Sequence, residues 1–174
     1  MPKRRVKRPS VTQPSDPFYR YIPLTRGKIA IIDTEDFVRL SQWNWRVTVN
    51  SCDFYAVRNG KNKKNVYMHR QIIGCKPKEH ADHKNHDTLD NRKNNIRKCT
   101  RTQNMCNRKA QINCKSGFKG VVWRPTSKKW SAGINYESRH IALGCFNTKE
   151  EAARAYDVAA KFYQGEFAHL NFPI

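Results

Sequence analysis

Between Lys129 and Gly165 the hydrophobic period changes once, from two to about 3.6, and that change restricts the folds open to the chain. Trp130, Ala132, Ile134 and Tyr136 alternate with Lys129, Ser131, Gly133 and Asn135. A period of two puts the first set on one face of a strand and the second set on the other. Ile141, Leu143 and Cys145 continue the apolar face on the next strand. Thr148 with Glu151 then forms a capping box, the start signal of a helix. Ala152, Ala155, Tyr156, Ala159, Phe162 and Tyr163 follow at helical spacing, and Gly165 is the stop. The pattern predicts a sheet with one helix laid on it through a small, Ala-rich side. The other face of the sheet is left open, with Gly120, Val122, Arg124, Gly133, Asn135, His140 and Ala142. Small side chains and a few donors suit the approach to a DNA groove. On pattern alone, a structural or protein-binding module fits equally well.

Charge weighs toward DNA. The 174 residues hold 34 Lys and Arg against 14 Asp and Glu, a net charge of +20. A chain this basic meets a polyanion, most commonly nucleic acid. Residues 1–115 carry 26 basic and nine acidic residues, and residues 116–174 carry eight and five. This asymmetry divides the chain into two modules, the first lying closer to phosphate. Met1 to Arg8 holds five basic residues with no apolar stretch after them, so it reads as a basic arm and not a secretory signal. No apolar run approaches the roughly 18 residues of a membrane span. The six cysteines form no Cys-x-x-Cys motif, and the spacing of Cys99, Cys106 and Cys114 fits no common zinc motif, so they read as reduced thiols.

The wording of the second module is specific. FKGVVW, KKWSAGI, IALGCFNTKEEAARAYDVAA and GEFAHLNFP together cover nearly all of 117–173. They resemble the plant ethylene-response-factor (Apetala-type) DNA-binding domain. The resemblance implies a three-stranded sheet that enters the major groove. Lys119, Gly120, Arg124 and Trp130 stand at or near that family's contact positions. Several base-reading arginines of the plant domains fall here on Val122, Asn135 and His140, so the plant target sequence does not carry over. Trp123 and Trp130 suit either core or contact, and Trp130 is assigned to the core. The expected DNA-binding residues are Arg97, Lys119, Gly120, Arg124, Lys128, Lys129, Asn135, Arg139 and His140.

The first module begins with a hairpin, Tyr19 to Ile32, turning at Thr25-Arg26-Gly27-Lys28, followed by a short helix capped by Asp33 or Thr34 and running to Ser41. Trp43–Val49 and Phe54–Arg58 read as strands, with a turn at Asn59-Gly60, and Val66–Ile73 as a strand running into a helix. Its most informative stretch is ADHKNHDTLDNRKNNIRKCTRTQNMCN. Asp82 and His83 put a carboxylate beside an imidazole, amide oxygens follow at Asn95 and Asn104, and Thr100 or Thr102 caps a helix carrying Asn104. Phosphodiester cleavage asks for a base near neutral pH and for a hard cation held by oxygen ligands. Asn- and Asp-rich polar loops are more often simply turns. The joint pattern of DH, LDNR, NNIR and TRTQN, with MHR at Met68-His69-Arg70, resembles the HNH nuclease family over about Tyr19 to Asn107. The resemblance implies His83 as general base, Asn95 as the residue orienting the catalytic loop, and Asp82 and Asn104 as ligands of one Mg²⁺ or Mn²⁺. Asn in place of His at the last position argues against zinc. His69 reads as a buried structural histidine, His80 and His86 as phosphate neighbours at best, and Asn91 and Arg92 as braces of the loop.

The expected fold class is α+β: a ββα-metal unit, then a three-stranded antiparallel sheet packed on one helix. The expected division is a basic arm at 1–16, an HNH endonuclease at 17–107, a linker at 108–115 and a DNA-binding domain at 116–174. The first functional expectation is a phage or mobile-element homing endonuclease, monomeric or weakly dimeric, acting on double-stranded DNA in the cytoplasm of a bacterial host. The alternatives are a DNA-binding transcriptional regulator with an inactive nuclease half, and a basic RNA-binding or structural protein.

Overall fold

The computed structural model describes residues 10–50, 53–61, 64–110 and 114–173. Met1–Pro9 and Cys52 lie outside them, so the basic arm and one cysteine are expectations only. The chain forms two units, one ending at Thr100 and one beginning at Arg101.

In the first unit β1 (Tyr19–Pro23) and β2 (Ile29–Asp33) form the expected antiparallel hairpin. Its turn takes positive φ at Arg26 and Gly27. Helix α1 spans Thr34–Ser41, with Asp33 at the N-cap position. Asp33 does not cap through its side chain; its carboxylate accepts the backbone N–H of Lys93 at 2.7 Å. The strand expected from Trp43 starts only at Arg46; the Trp45 indole N–H donates back to Leu40 O at 2.8 Å and holds Trp45 against the end of α1. β3 (Arg46–Asn50), β4 (Asp53–Asn59) and β5 (Asn65–Tyr67) form one antiparallel sheet, and β5 runs directly into α2 (Met68–Ile72). Leu24, Ala30, Ile32, Leu40, Trp45 and Met68 are fully buried in the shared core. β6 (His80–His83) and β7 (Ile96–Cys99) form a separate two-stranded ribbon.

The second unit opens with α3 (Arg101–Cys106). β8 (Val121–Arg124), β9 (Lys129–Tyr136) and β10 (Arg139–Phe146) follow in the order β10-β9-β8, all antiparallel. α4 (Lys149–Gln164) starts on the expected capping box, with both Thr148–Glu151 hydrogen bonds formed, and ends at Gly165. Ala152, Ala153, Tyr156, Ala159 and Ala160 are its buried face, so short side chains let the helix lie close to Val121, Ala132 and Ile134. Phe162, expected in this face, is 81% exposed beside Val158. One residue from Tyr163 is a rotation of about 100°, enough to carry it off the narrow Ala stripe. Asp157 is buried on the same helix, and its carboxylate accepts the N–H groups of Asn171 and Phe172 at 2.8 and 2.9 Å. That clasp holds the segment after α4 against the unit. No helix among the described residues is long and apolar enough to cross a membrane.

Candidate nucleic-acid interface

The face of the second unit's sheet turned away from α4 is built by strand alternation alone. Trp130, Ala132 and Ile134 point into the core, which leaves Lys129, Ser131, Gly133 and Asn135 on the opposite face of β9. Register puts Arg124 opposite Lys129 and Val122 opposite Ser131 on one side, and Ala142 opposite Gly133 and His140 opposite Asn135 on the other. Together they frame an open concavity of about 510 Å³, lined by Gly120, Val122, Arg124, Ser131, Gly133 and His140 among others. The side chains of Arg124, Lys128, Lys129 and Arg139 are exposed and have no ion-pair or hydrogen-bond partner among the described residues. Cations left open around a concave polar floor suit a polyanion. Ser131, on the polar face the alternation predicts, also lines the concavity, as do the turn residues Pro125 and Thr126, which the sequence pattern does not single out. The period-two pattern was signal enough for Ser131, which stands between Lys129 and Gly133.

Other expected contacts sit differently. Gly120 has φ +75, and a Cβ there would stand 2.0 Å from the Tyr156 ring, so its missing side chain serves the packing of α4 as well as the open face. The Lys119 side chain turns away from that face and donates to Cys106 O at the end of α3. Burial lowers its ammonium pKa to about 8. Cys145, expected on the apolar face, is exposed: a register shift between Ala142 and Gly144 makes an extra residue in β10 and reverses the alternation, so Cys145 pairs with Ser131. Trp130 packs on the core as expected, its ring 5.0 Å from that of Trp123.

In the first unit, β6 and β7 pair Asp82 with Arg97, and the Arg97 guanidinium donates Nε and Nη2 to Asp82 Oδ2 at 3.1 and 2.9 Å. Both side chains are nearly buried, at 8% and 11% exposure. A divalent cation at Asp82 would have to displace that guanidinium; Asn104 lies on α3. With Asp82 paired in this way, the residues around it do not fit an open oxygen cage for Mg²⁺ or Mn²⁺. Arg97, expected to touch DNA, is held within the unit by the same pair. His83 is buried, and its ring lies 4.8 Å from that of His69, beside Tyr55. Burial keeps both imidazoles below their ordinary pKa, His69 at about 3. His69 is thus the buried histidine expected. His80 is exposed at the start of β6 and His86 half-buried in the turn after it.

The polar words of this unit build a loop. Asn95 accepts from Asn85 N at 3.1 Å and donates to Asp90 O at 2.7 Å. Arg92 grips Asp90 through two donors, and Asn91 N donates to Ile31 O on β2 at 2.7 Å. Asn91, Arg92 and Asn95 together tie the long β6–β7 connection to the first hairpin.

Comparison with known proteins places the resemblance in the second unit. The AP2 domain family matches residues 116–166. A rice AP2/ERF and B3 domain-containing protein (Oryza sativa subsp. japonica) is 48% identical over 58 residues, 33% of this chain and 16% of the relative. The Arabidopsis thaliana AP2/ERF and B3 domain-containing transcription repressor TEM1 is 42% identical over 57 residues, again 33% and 16%. Dehydration-responsive element-binding protein 2A of the same plant is 46% identical over 63 residues, 35% and 18%. The chain thus spans less than a fifth of the length of each of these relatives. No solved structure matches. Residues 116–166 are an AP2/ERF domain, a three-stranded sheet with one helix, as the sequence implied. The endonuclease expectation is overturned: the matching domain and relatives are those of plant transcription factors, not of HNH nucleases or phage enzymes. The physical reason for the misreading is visible in the β6–β7 loop, where the Asp, Asn and Arg residues that suggested catalysis satisfy one another.

Proposed function

We propose that this chain is a DNA-binding regulator of transcription, which docks on double-stranded DNA through the open face of the sheet β8-β9-β10. The observation that carries the reading is the unpartnered cation set around that face, within a domain of the AP2/ERF family. Arg124 and Lys129 stand opposite each other in register, and Lys128 sits in the turn that joins their strands. Phosphate contacts from these side chains, with Arg139 at the β10 end, would set the sheet's position, while Asn135 and His140 on its floor reach base edges. Gly120 contributes by keeping the rim of the concavity low. The positive balance of 1–115, 26 basic residues against nine acidic, adds affinity that is independent of sequence. The names of the plant relatives favour a nuclear site of action.

A gel-shift titration of a duplex against salt tests this. The whole chain should retard double-stranded DNA with an affinity that falls steeply as salt rises. Arg124→Ala with Lys129→Ala should flatten the log–log salt slope by about 0.9 per lost phosphate contact. No retardation at low salt, or a double variant indistinguishable from the parent, would sink the proposal.

A further inference from the structure

Contact with duplex DNA does not by itself account for one pair on the open face. Asn135 and His140 are direct partners across β9 and β10, and both are exposed. His140 Nδ1 lies 3.0 Å from Asn135 Oδ1. An amide oxygen only accepts, so the ring nitrogen is the donor. In this arrangement Oδ1 faces the ring and Nδ2 faces away from it. Asn135 Nδ2 has no hydrogen-bond partner among the described residues. The ring has room because position 133 is glycine; a Cβ there would stand 2.5 Å from His140 Cε1 and 2.8 Å from Nε2. Gly133 and His140 line the same concavity as Asn135. The core gains little from an exposed pair of this kind, yet three positions on two strands agree in holding one amide in one orientation.

The chemistry of that amide is selective. After receiving the imidazole N–H it keeps one oxygen lone pair and two N–H donors. In the major groove adenine presents an N6 donor beside the N7 acceptor, the complement of an amide. Guanine presents two acceptors, so Oδ1 would face another acceptor. Cytosine presents only a donor, and thymine an acceptor and a methyl group.

We infer that Asn135, oriented by His140 over Gly133, selects an adenine in the major groove, so that the DNA bound by this chain carries an A·T pair at one fixed position. His140 is a positioning residue in this arrangement. The inference rests on the reading that the open face meets duplex DNA, and it adds the identity of a base.

The whole chain is used to select binders from a randomised duplex pool, and the winning duplex is then varied one position at a time in gel shifts. One position should be held as A·T, and changing it to G·C should weaken binding about tenfold or more. Asn135→Ala should erase the preference at that position alone. His140→Ala should weaken the preference there and nowhere else, which a general loss of stability would not do. Asn135→Asp keeps the size of the side chain but only accepts, so it should move the preference there to cytosine, whose N4 donates. A selected site whose preferences all survive Asn135→Ala overturns the inference, as does a G·C pair at the position that depends on Asn135. Equal retardation of every duplex overturns the inference and leaves the DNA-binding reading standing. Retardation of none overturns both.

Discussion

Gly120→Ala is the sharpest test of how the sheet and helix of the second unit fit. Gly120 has φ +75, where an alanine is strained by about 1–2 kcal/mol. The added Cβ would stand 2.0 and 2.4 Å from two carbons of the Tyr156 ring and 2.8 Å from Gly133 O. The ring cannot simply withdraw, since Tyr156 is 2% exposed and packed among Ile134, Ala159 and Ala160. Forcing an extra methyl into such a site costs about another 1–3 kcal/mol. Displacement of the strand would also strain the Gly133 N to Gly120 O hydrogen bond of 2.9 Å, worth about 1 kcal/mol. The expected loss is about 3–6 kcal/mol, a large share of the stability of a small domain. Amide exchange of the intact chain reads it by residue: protection should fall across β8, β9 and α4 and stay unchanged across β1 to β5. Replacing Tyr156 by Leu first should cut the cost of Gly120→Ala to the backbone strain and the Gly133 O contact, because the ring is the larger obstacle. Unchanged protection in Gly120→Ala would refute the packing argument and leave only the open face as the reason for glycine.

Two further outcomes concern the first unit. His69 and His83 are buried with depressed pKa values, so below pH 6.5 the unfolded chain binds protons that the folded unit refuses. Stability should therefore fall as the pH drops from 6.5 toward 3, by about 1.4 kcal/mol per pH unit for His69, and His69→Phe should flatten the fall in urea midpoints measured between pH 7 and pH 5. Asp82→Ala strands the Arg97 guanidinium in a nearly buried site and should cost about 3–5 kcal/mol; a thermal midpoint unchanged from the parent would show that the pair is not structural.

What could be read from the sequence was local. The Tyr19–Ile32 hairpin, the Thr148–Glu151 capping box and the alternation through β9 depend on neighbours within a few residues, and each stands as expected. The open face followed from the same alternation. It was lost in β10 where the extra residue near Leu143 reverses the side-chain order, which period two cannot foresee. Lys119 reads as a DNA contact from the sequence because its partner, the Cys106 carbonyl, lies 13 residues back in the chain. The Asp82–Arg97 pair needed the β6–β7 register, and without it Asp82 looked like a free carboxylate. The largest error had the same origin. Asp, Asn and Arg at turn spacing serve a self-satisfying loop and a cleavage site equally well, and only the tertiary partners separate the two.

The Asp157 clasp bears on how this DNA-binding module travels between proteins. The family pattern stops at residue 166, but the carboxylate of Asp157 is satisfied by Asn171 and Phe172, beyond that edge. Asn171 also accepts the N–H of Lys119 and donates to its carbonyl, at 2.7 and 3.1 Å, so the far end of the segment is tied to the start of the sheet. Transplanting the recognisable stretch alone into a foreign chain would leave a buried acid without its donors and an open seam beside β8. The structural piece is longer than the pattern that identifies it, and a module moved into another chain should run through Phe172.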